Sequence, residues 1–410
     1  MRTVEAQLAI VLDAIAPLPT ETVGIEDAIG RTLATAVPAA LPIPAFDNSA
    51  MDGFAVRFDD VAAASADAPV RLRVVADVPA GSADDPPISA GEAARIMTGS
   101  RVPSAADAIV PFEDTAGGLA DSLTDVVVLA APASRGAFVR RRGADLGVGD
   151  VVLAAGGLIG PRQRAAAIAA GVRAVEVSRR PMVAVVSTGS ELVAPGEPAP
   201  VGMIPDSNAG LIAGLAAEAG AETVLAERVA DEPEALLAVL ARAAERGADA
   251  VVLSGGVSEG AYEVVKQALD GRGVEFARVA MQPGKPQGFG RLPGGAVVFG
   301  LPGNPVSVAV SFEVFVRPAL LAMQRRADLG RHRIVLPAAV GWRTPPGRRQ
   351  YLPVVVDRAD PARWTVRPSA AGGSGSHLTG SLARAEAYAI VPAEVDAVAP
   401  GDPVDVMLVG

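Results

Sequence analysis

The 410-residue sequence contains no cysteine and only two histidines, His332 and His377. The absence of cysteine excludes disulfide bonds, thiolate nucleophiles and cysteine-based zinc or iron–sulfur sites. With so few nitrogen and sulfur ligands, any bound metal is expected to be a hard cation held by oxygen, and magnesium is the first candidate. Lysine is also scarce, because Lys266 and Lys285 are the only two in the chain.

An excess of positive charge and a long apolar run are missing as well. The formal net charge is −10, which argues against a nucleic-acid partner because phosphate neutralisation needs a basic surface. An anionic small-molecule substrate stays open. No apolar run reaches the roughly 18 residues of a membrane helix. Residues 1–18 predict an amphipathic helix and not a signal peptide, since they carry Glu5 and Asp13. We therefore expect a cytoplasmic protein without a membrane partner.

The chain is long enough for several domains, and half of its residues are hydrophobic. Residues 41–139 contain short strand-like runs broken by Pro, Gly and Asp, which predicts a small β domain without helices. Residues 150–177 return to a helical pattern, and in one interpretation this helix packs with the N-terminal one. The β region is then an insertion into a discontinuous helical or linker domain of residues 1–40 and 140–179.

Residues 180–326 alternate between apolar strands and helical stretches. Met182–Ser187, Ala250–Ser254 and Ala296–Gly300 are continuous apolar runs, which are typical of strands buried on both faces. The helical stretches between them predict a mostly parallel sheet with crossover helices. Residues 327–410 return to strands, and a compact β barrel is the simplest interpretation. The predicted fold class is multidomain α/β plus β.

Three loops rich in glycine or proline follow the predicted parallel strands. They have the sequences STGSEL at 187–192, SGGVSEG at 254–260 and GLPGNPVS at 300–307. Ligands of open α/β sheets bind at the carboxyl ends of the strands, and free backbone N–H groups in such turns bind anions. The loops therefore predict one anion site, although tight strand-to-helix turns are the alternative for each. The predicted substrate-binding residues are Thr188, Gly189, Ser254, Gly255, Gly256, Ser258, Pro302, Gly303 and Asn304.

Charged side chains near these loops indicate how an anion would be held. Glu191 and Glu263 are candidate carboxylate ligands for one magnesium ion, with solvated surface glutamates as the alternative. Lys285 stands between two prolines in residues 282–286. This rigid setting favours an oxyanion contact over a solvated surface charge.

Residues 256–260 also match the nucleophile-elbow pattern G-x-S-x-G of serine hydrolases. A hydrolase would use Ser258 with an acid and His377, which follows later in the chain as that fold requires. However, His377 falls in the β-rich tail outside the α/β unit. The hydrolase is therefore the less favoured alternative.

Eight segments, taken in order, resemble the MoeA family and the related gephyrin E domain. They are DNSAMDGFAV at 47–56, RIMTGSRVP at 95–103, RRRGAD at 140–145, STGSEL at 187–192, IPDSN at 204–208, SGGVSEG at 254–260, PGKP at 283–286 and GLPGNPVS at 300–307. The resemblance spans nearly the whole chain. It implies an elongated homodimer of four-domain subunits, with a MogA-like α/β domain and a C-terminal β barrel.

The resemblance also implies an activity. Such a protein transfers molybdate to adenylylated molybdopterin with the help of Mg²⁺ and releases AMP, at a site formed between two subunits. Molybdopterin adenylyltransferase and the apoproteins of molybdoenzymes are further partner candidates. A non-catalytic scaffold of the gephyrin type is the alternative from another functional class.

Family active-site positions can be carried onto this chain residue by residue. In this interpretation Lys285, Arg349 and Ser376 would neutralise and orient molybdate. Glu191 and Glu263 would hold magnesium on the pyrophosphate. Four positions depart from the family pattern, namely Phe54 for tyrosine, Ser190 for aspartate, Glu263 for aspartate and Gln282 for a first lysine. The last two leave open a paralogue with weaker activity or another oxyanion preference. The matching positions are Asp52, Thr98, Asp145, Glu191, Asp231, Lys285 and Ser376, with Arg349 as a weaker match to an anion-binding arginine.

Overall fold

A computed structural model describes residues 1–117, 123–257, 263–370, 375 and 378–409. Of the two six-stranded sheets in the described residues, one lies between residues 182 and 301. The strand order across it is Glu222–Val229, Met182–Thr188, Ala250–Ser254, Val297–Leu301, Pro286–Arg291 and Val274–Arg278. The first four strands are mutually parallel. Pro286–Arg291 pairs antiparallel with both of its neighbours, Val297–Leu301 and Val274–Arg278. The prediction of a mostly parallel sheet is confirmed.

Helices cover both faces of this sheet. They are Asn208–Glu218, Pro233–Glu245, Val264–Leu269 and Pro305–Met323, the last with a π-helical turn at Phe312–Val316. Every residue of Ala250–Ser254 is buried. Val252 packs in the same core as Phe312, whereas Leu253 packs with Leu236 on the other face. Burial on both faces explains why the strand sequences are continuously apolar.

Pro305–Met323 is also long and apolar enough to cross a membrane by length and composition. However, 89% of its most apolar window is buried inside the protein. The helix is therefore accounted for as the core helix of the α/β domain.

The N-terminal helix, Val4–Asp13, packs on the α/β domain. Its buried Val11 belongs to the core that contains Phe312, and Val4 lies in a second core with Phe315. The prediction that this helix packs with the helix at Pro161–Ala169 was wrong, because Pro305–Met323 covers its apolar face instead.

The helix Pro161–Ala169 has a small core of its own, built with Ile25–Asp27 and two strand pairs. The pairs are Thr20–Gly24 with Ala174–Ser178 and Val37–Pro38 with Val151–Leu153. Residues before 40 thus pair with residues after 150, as an insertion between them requires. The domain boundaries themselves stay a prediction.

The inserted region contains a five-stranded sheet. The strand order is Ala108–Pro111, Gly53–Val56, Glu92–Ile96, Val70–Val78 and Asp125–Val128. Asn48–Ser49 and Val139–Arg140 form a separate two-stranded pair. The expected absence of helices was wrong, since Phe58–Val61 forms one helical turn and Phe112–Asp114 a 3₁₀ turn. Asp107 stabilises the first turn from outside, because its Oδ1 accepts a hydrogen bond from Phe58 N at 2.7 Å. No local pattern reveals such a distant cap.

The C-terminal part forms the predicted barrel. Its strands are Arg333–Pro337, Arg349–Asp357, Thr365–Pro368, Ala387–Val391 and Pro403–Leu408, with a smaller pair of Trp342–Arg343 and Ala397–Val398 and a short helix at Thr379–Leu382. A bridge between Ala338 and Val366 closes the ring, which confirms the barrel. Met281–Gln282 of the α/β domain pairs with the start of Arg349–Asp357. This pairing fixes the lysine-containing loop against the barrel.

Candidate functional site

The loops at the carboxyl ends of the parallel strands line one cavity of about 530 Å³. Met182–Thr188, Ala250–Ser254 and Val297–Leu301 all end at this cavity. Convergence of the loops was predicted, and the structure brings most of their residues together. The predicted site residues that line the cavity are Thr188, Gly189, Glu191, Asp231, Gly255, Gly256, Glu263, Lys285, Pro302, Gly303 and Asn304.

The central loop needs glycine at two successive positions. Gly255 and Gly256 have φ values of +93° and +63°, which other residues rarely adopt. A Cβ atom on Gly255 would stand 2.6 Å from the carbonyl oxygen of Thr188. A Cβ on Gly303 would lie 3.5 Å from Gly255 Cα, so these loops pack backbone against backbone. The cavity wall therefore exposes main-chain groups to a ligand.

We expect Gly255→Ala to destabilise the protein by about 2 kcal/mol or more, from its left-handed backbone and the clash with Thr188. Gly210 in the helix Asn208–Glu218 is a matched control, because a Cβ there meets nothing within 4 Å. Gly210→Ala should stabilise by about 0.5–1 kcal/mol. Chemical denaturation of both variants measures the difference. Equal stabilities would contradict the geometry assigned to the loop.

Negative charge dominates the described lining of the cavity. Glu191, Asp206, Asp231 and Glu263 stand against the single ammonium group of Lys285. An anionic substrate entering this cavity is repelled unless further positive charge accompanies it. The charges of the lining thus favour the binding of a cation together with an anion.

Ser190, which the sequence resemblance singled out, holds Asp231 in place. Its backbone N donates to Asp231 Oδ2 at 3.0 Å, and its Oγ accepts from Asp231 N at 3.1 Å. These two hydrogen bonds join the loops that follow Met182–Thr188 and Glu222–Val229. Ser190 thus orients Asp231 without adding a negative charge to the rim of the cavity.

A buried chain of polar side chains supports the cavity from below. Asp206 Oδ1 accepts hydrogen bonds from Ser187 Oγ at 3.1 Å and from Asn208 N at 2.9 Å. Ser254 Oγ donates to Ser187 Oγ at 3.3 Å, and Ser254 is only 1% exposed. Ser254 therefore lies beneath the cavity instead of in its wall, because its side chain points into the buried layer between two strands. Sequence reasoning missed Asp206 and Asn208, although both lie in the segment 204–208 that matched the family.

The loop that carries Lys285 is held on two sides. Gln287 Nε2 donates to Gly284 O at 2.6 Å and to Ser311 Oγ at 2.8 Å, and these contacts are buried. On the other side, Arg348 Nη1 donates to Gln282 Oε1 at 2.7 Å. The guanidinium of Arg348 therefore places a positive charge beside Gln282. The sequence did not single out Arg348.

Arg349, the arginine that the sequence singled out, is not brought into this cavity. Its guanidinium pairs with Glu5 in a separate cavity lined also by Arg333 and Asp405. Hydrogen bonding to its own backbone N–H and to Arg349 lowers the pKa of Glu5. The neighbouring Arg348 points instead to Gln282, which lines the cavity.

Asp52, Thr98 and Asp145 do not line the cavity either. Thr98 N donates to Asp52 Oδ1 at 2.6 Å, and this hydrogen bond lowers the pKa of Asp52. Asp145 is exposed, and its backbone N donates to Ile43 O. All three belong to the inserted region or the turn that follows it. Ser258, Ser376 and His377 lie outside the described residues.

The fold and the cavity define a class of multidomain proteins with an α/β small-molecule-binding domain, an inserted β region and a C-terminal barrel. Residues 2–171 match the model of the MoeA N-terminal region, domains I and II. Residues 184–322 match a probable molybdopterin binding domain, and residues 335–409 match the MoeA C-terminal region, domain IV. The chain belongs to the MoeA family.

Relatives of known name agree with this assignment. Molybdopterin molybdenumtransferase 2 of Mycobacterium tuberculosis is 41% identical over 98% of both chains. Molybdopterin molybdenumtransferase 1 of the same organism is 36% identical over 99% of this chain and 98% of the relative. Two MoeA crystal structures from Pyrococcus horikoshii are similar to this chain. The first has a TM-score of 0.81 at 32% identity and covers 99% of this chain and 98% of its own. The second has a TM-score of 0.84 at 27% identity and covers both chains completely, at 100% each.

Proposed function

We propose that this protein inserts molybdate into adenylylated molybdopterin and releases AMP to give molybdenum cofactor. The observation that carries the proposal is the cavity in which Lys285, carboxylates and glycine-loop amides meet. Full-length relatives with the name molybdopterin molybdenumtransferase add to it. The test is activation of a molybdenum-free apoenzyme by the product formed from adenylylated molybdopterin and molybdate. Sulfate in place of molybdate should give no activation, and activation with sulfate would contradict the proposal.

Positive charge for the oxyanion comes from Lys285 and Arg348. Lys285 lines the cavity, and Arg348 reaches the same loop through Gln282. Charge-assisted hydrogen bonds from an ammonium and a guanidinium are about twice as strong as neutral ones. Phosphate oxygens of the substrate would bind the backbone N–H groups of Gly256 and Gly303, which line the cavity close to the start of Pro305–Met323.

The carboxylate oxygens that line the cavity also suit magnesium. Among the residues that the structure describes, no three potential ligands converge into a complete metal site. Magnesium usually binds one or two carboxylates together with substrate phosphates and water. Glu191 and Glu263 line the cavity and would hold the ion against the pyrophosphate. When bound, Mg²⁺ would neutralise charge on the departing AMP.

Two adjacent arginines test the oxyanion assignment. We expect Arg348→Met to weaken molybdate binding by about 10-fold or more, because a charge-assisted hydrogen bond is lost. Arg349→Met removes the same charge from the other cavity, where Arg349 pairs with Glu5, and should leave molybdate affinity unchanged. Calorimetric titration with molybdate measures both. A loss of molybdate affinity in Arg349→Met alone would assign the oxyanion contact to Arg349 instead of Arg348.

We also propose that the active unit is a cytoplasmic homodimer in which a second subunit supplies Asp52, Thr98 and Asp145. This accounts for the position of these residues outside the cavity of their own chain. Light scattering should give the mass of a dimer. Mixing Asp52→Ala chains with Lys285→Ala chains should restore about a quarter of wild-type activity, because random exchange leaves one intact site in half of the two-fold dimers. No recovery after proven exchange would show that each site belongs to one chain.

A further inference from the structure

An exposed apolar wall of the cavity is built on a short flap of residues 192–205. Leu192–Val193 and Ile204–Pro205 pair in parallel at the base of the flap. Backbone hydrogen bonds hold it at both ends, from Ile204 N to Glu191 O at 2.8 Å and from Asp206 N to Val193 O at 3.0 Å. The side chains of Leu192, Ile204 and Pro205 line the cavity. Ile204 is 53% exposed, so its side chain is available to a ligand.

This wall differs from the other apolar residues of the cavity by its exposure. Val257 and four prolines also line the cavity, but they are buried or half-buried within the glycine and lysine loops, whereas Ile204 and Pro205 are exposed. The remaining lining consists of carboxylates, Lys285, polar side chains and glycine-loop backbone, which suit phosphates and metal. Exposed aliphatic surface gains free energy when an apolar face covers it. Of the parts of a nucleotide-like substrate, only a flat ring has such a face. We infer that Leu192, Ile204 and Pro205 bind the face of a nitrogen heterocycle of the substrate and thereby set specificity.

A side chain next to the wall is placed to recognise the edge of that ring. Asn208 lines the same cavity and is only 8% exposed. Its Nδ2 donates to Gly303 O at 2.7 Å, whereas its buried Oδ1 has no hydrogen-bond partner among the described residues. A buried acceptor without a donor costs free energy, and a turn of the amide towards the cavity would let an N–H group of a ligand relieve that cost. Heterocycles with amino groups meet both requirements, the apolar face and the donor edge.

The inference rests on the proposed function for the identity of the rings, since adenylylated molybdopterin contains an adenine and a pterin. Binding of simple ligands to the intact protein tests it without any turnover. Wild-type protein should bind AMP more tightly than ribose 5-phosphate, which lacks the ring. Ile204→Ser should weaken binding of the ring ligand that lies on the wall, AMP or pterin-6-carboxylate, by about tenfold through the lost apolar contact and leave ribose 5-phosphate unchanged.

Val201 provides the matched control on the same flap. It is fully exposed and absent from the cavity lining, so Val201→Ser should bind AMP as wild type does. Pterin-6-carboxylate identifies the ring, because the ligand that Ile204→Ser weakens is the one that lies on the wall. If neither AMP nor the pterin responds to Ile204→Ser, or if both variants behave alike, the inference is overturned. The proposed function would fail separately, through an absence of cofactor formation by wild-type protein.

Discussion

Replacing Lys285 by methionine should lower kcat/KM for molybdate by about 10²–10³-fold. Lys285 is the only basic residue in the described lining of a cavity that contains four carboxylates. Its removal leaves a doubly charged oxyanion facing negative charge, with the guanidinium of Arg348 beside Gln282 as remaining positive charge. Methionine keeps the length of the side chain, so the packing between Pro283 and Pro286 is retained.

The chain provides its own control for this experiment. Its other lysine, Lys266, lies on the helix Val264–Leu269 with its ammonium 6.0 Å from the centre of the Phe276 ring. Lys266→Met makes the same chemical change outside the cavity lining and should retain nearly full activity. Equal losses in the two variants would show that general electrostatics, and not a contact at Lys285, explains the effect.

Glu263→Gln should lower the rate of AMP release by about 10²-fold at low magnesium and less at high magnesium. Glu263 lines the cavity immediately before the helix Val264–Leu269, and glutamine keeps its size while removing the charge that attracts the ion. The rate should be measured as a function of magnesium concentration.

Glu234→Gln is the matched control, since Glu234 is exposed in the first turn of Pro233–Glu245 and does not line the cavity. It should behave as wild type at every magnesium concentration. If Glu263→Gln gives the wild-type magnesium dependence, Glu263 is not a ligand, and Glu191 with Asp231 becomes the alternative pair.

Patterns along the chain predicted the α/β domain well, for a physical reason. Strands such as Ala250–Ser254 are buried on both faces, so the constraint on each residue is local and appears as an unbroken apolar run. The glycines of the loop at 254–256 are likewise required by local backbone geometry. The convergence of the strand-end loops could be predicted because the carboxyl ends of parallel strands meet at one edge of the sheet.

Side-chain direction and long-range packing were not predictable in this way. Arg348 and Arg349 are chemically identical neighbours, and only the contacts with Gln282 and Glu5 distinguish their roles. The partner of the N-terminal helix depends on which distant surface is apolar, and here it is Pro305–Met323. Ser254 stands at the end of a strand, where only the three-dimensional structure shows which way its hydroxyl points.

The central claim is that this protein couples molybdate insertion to AMP release. A single-turnover reaction of wild-type protein with adenylylated molybdopterin and molybdate tests it most directly, with the AMP released and the molybdenum bound to pterin measured in one sample. We expect AMP release only when molybdate is present, with about one molybdenum incorporated per AMP and little of either product with Lys285→Met. Rapid AMP release without molybdate, or AMP release without incorporation of molybdenum, would contradict the account.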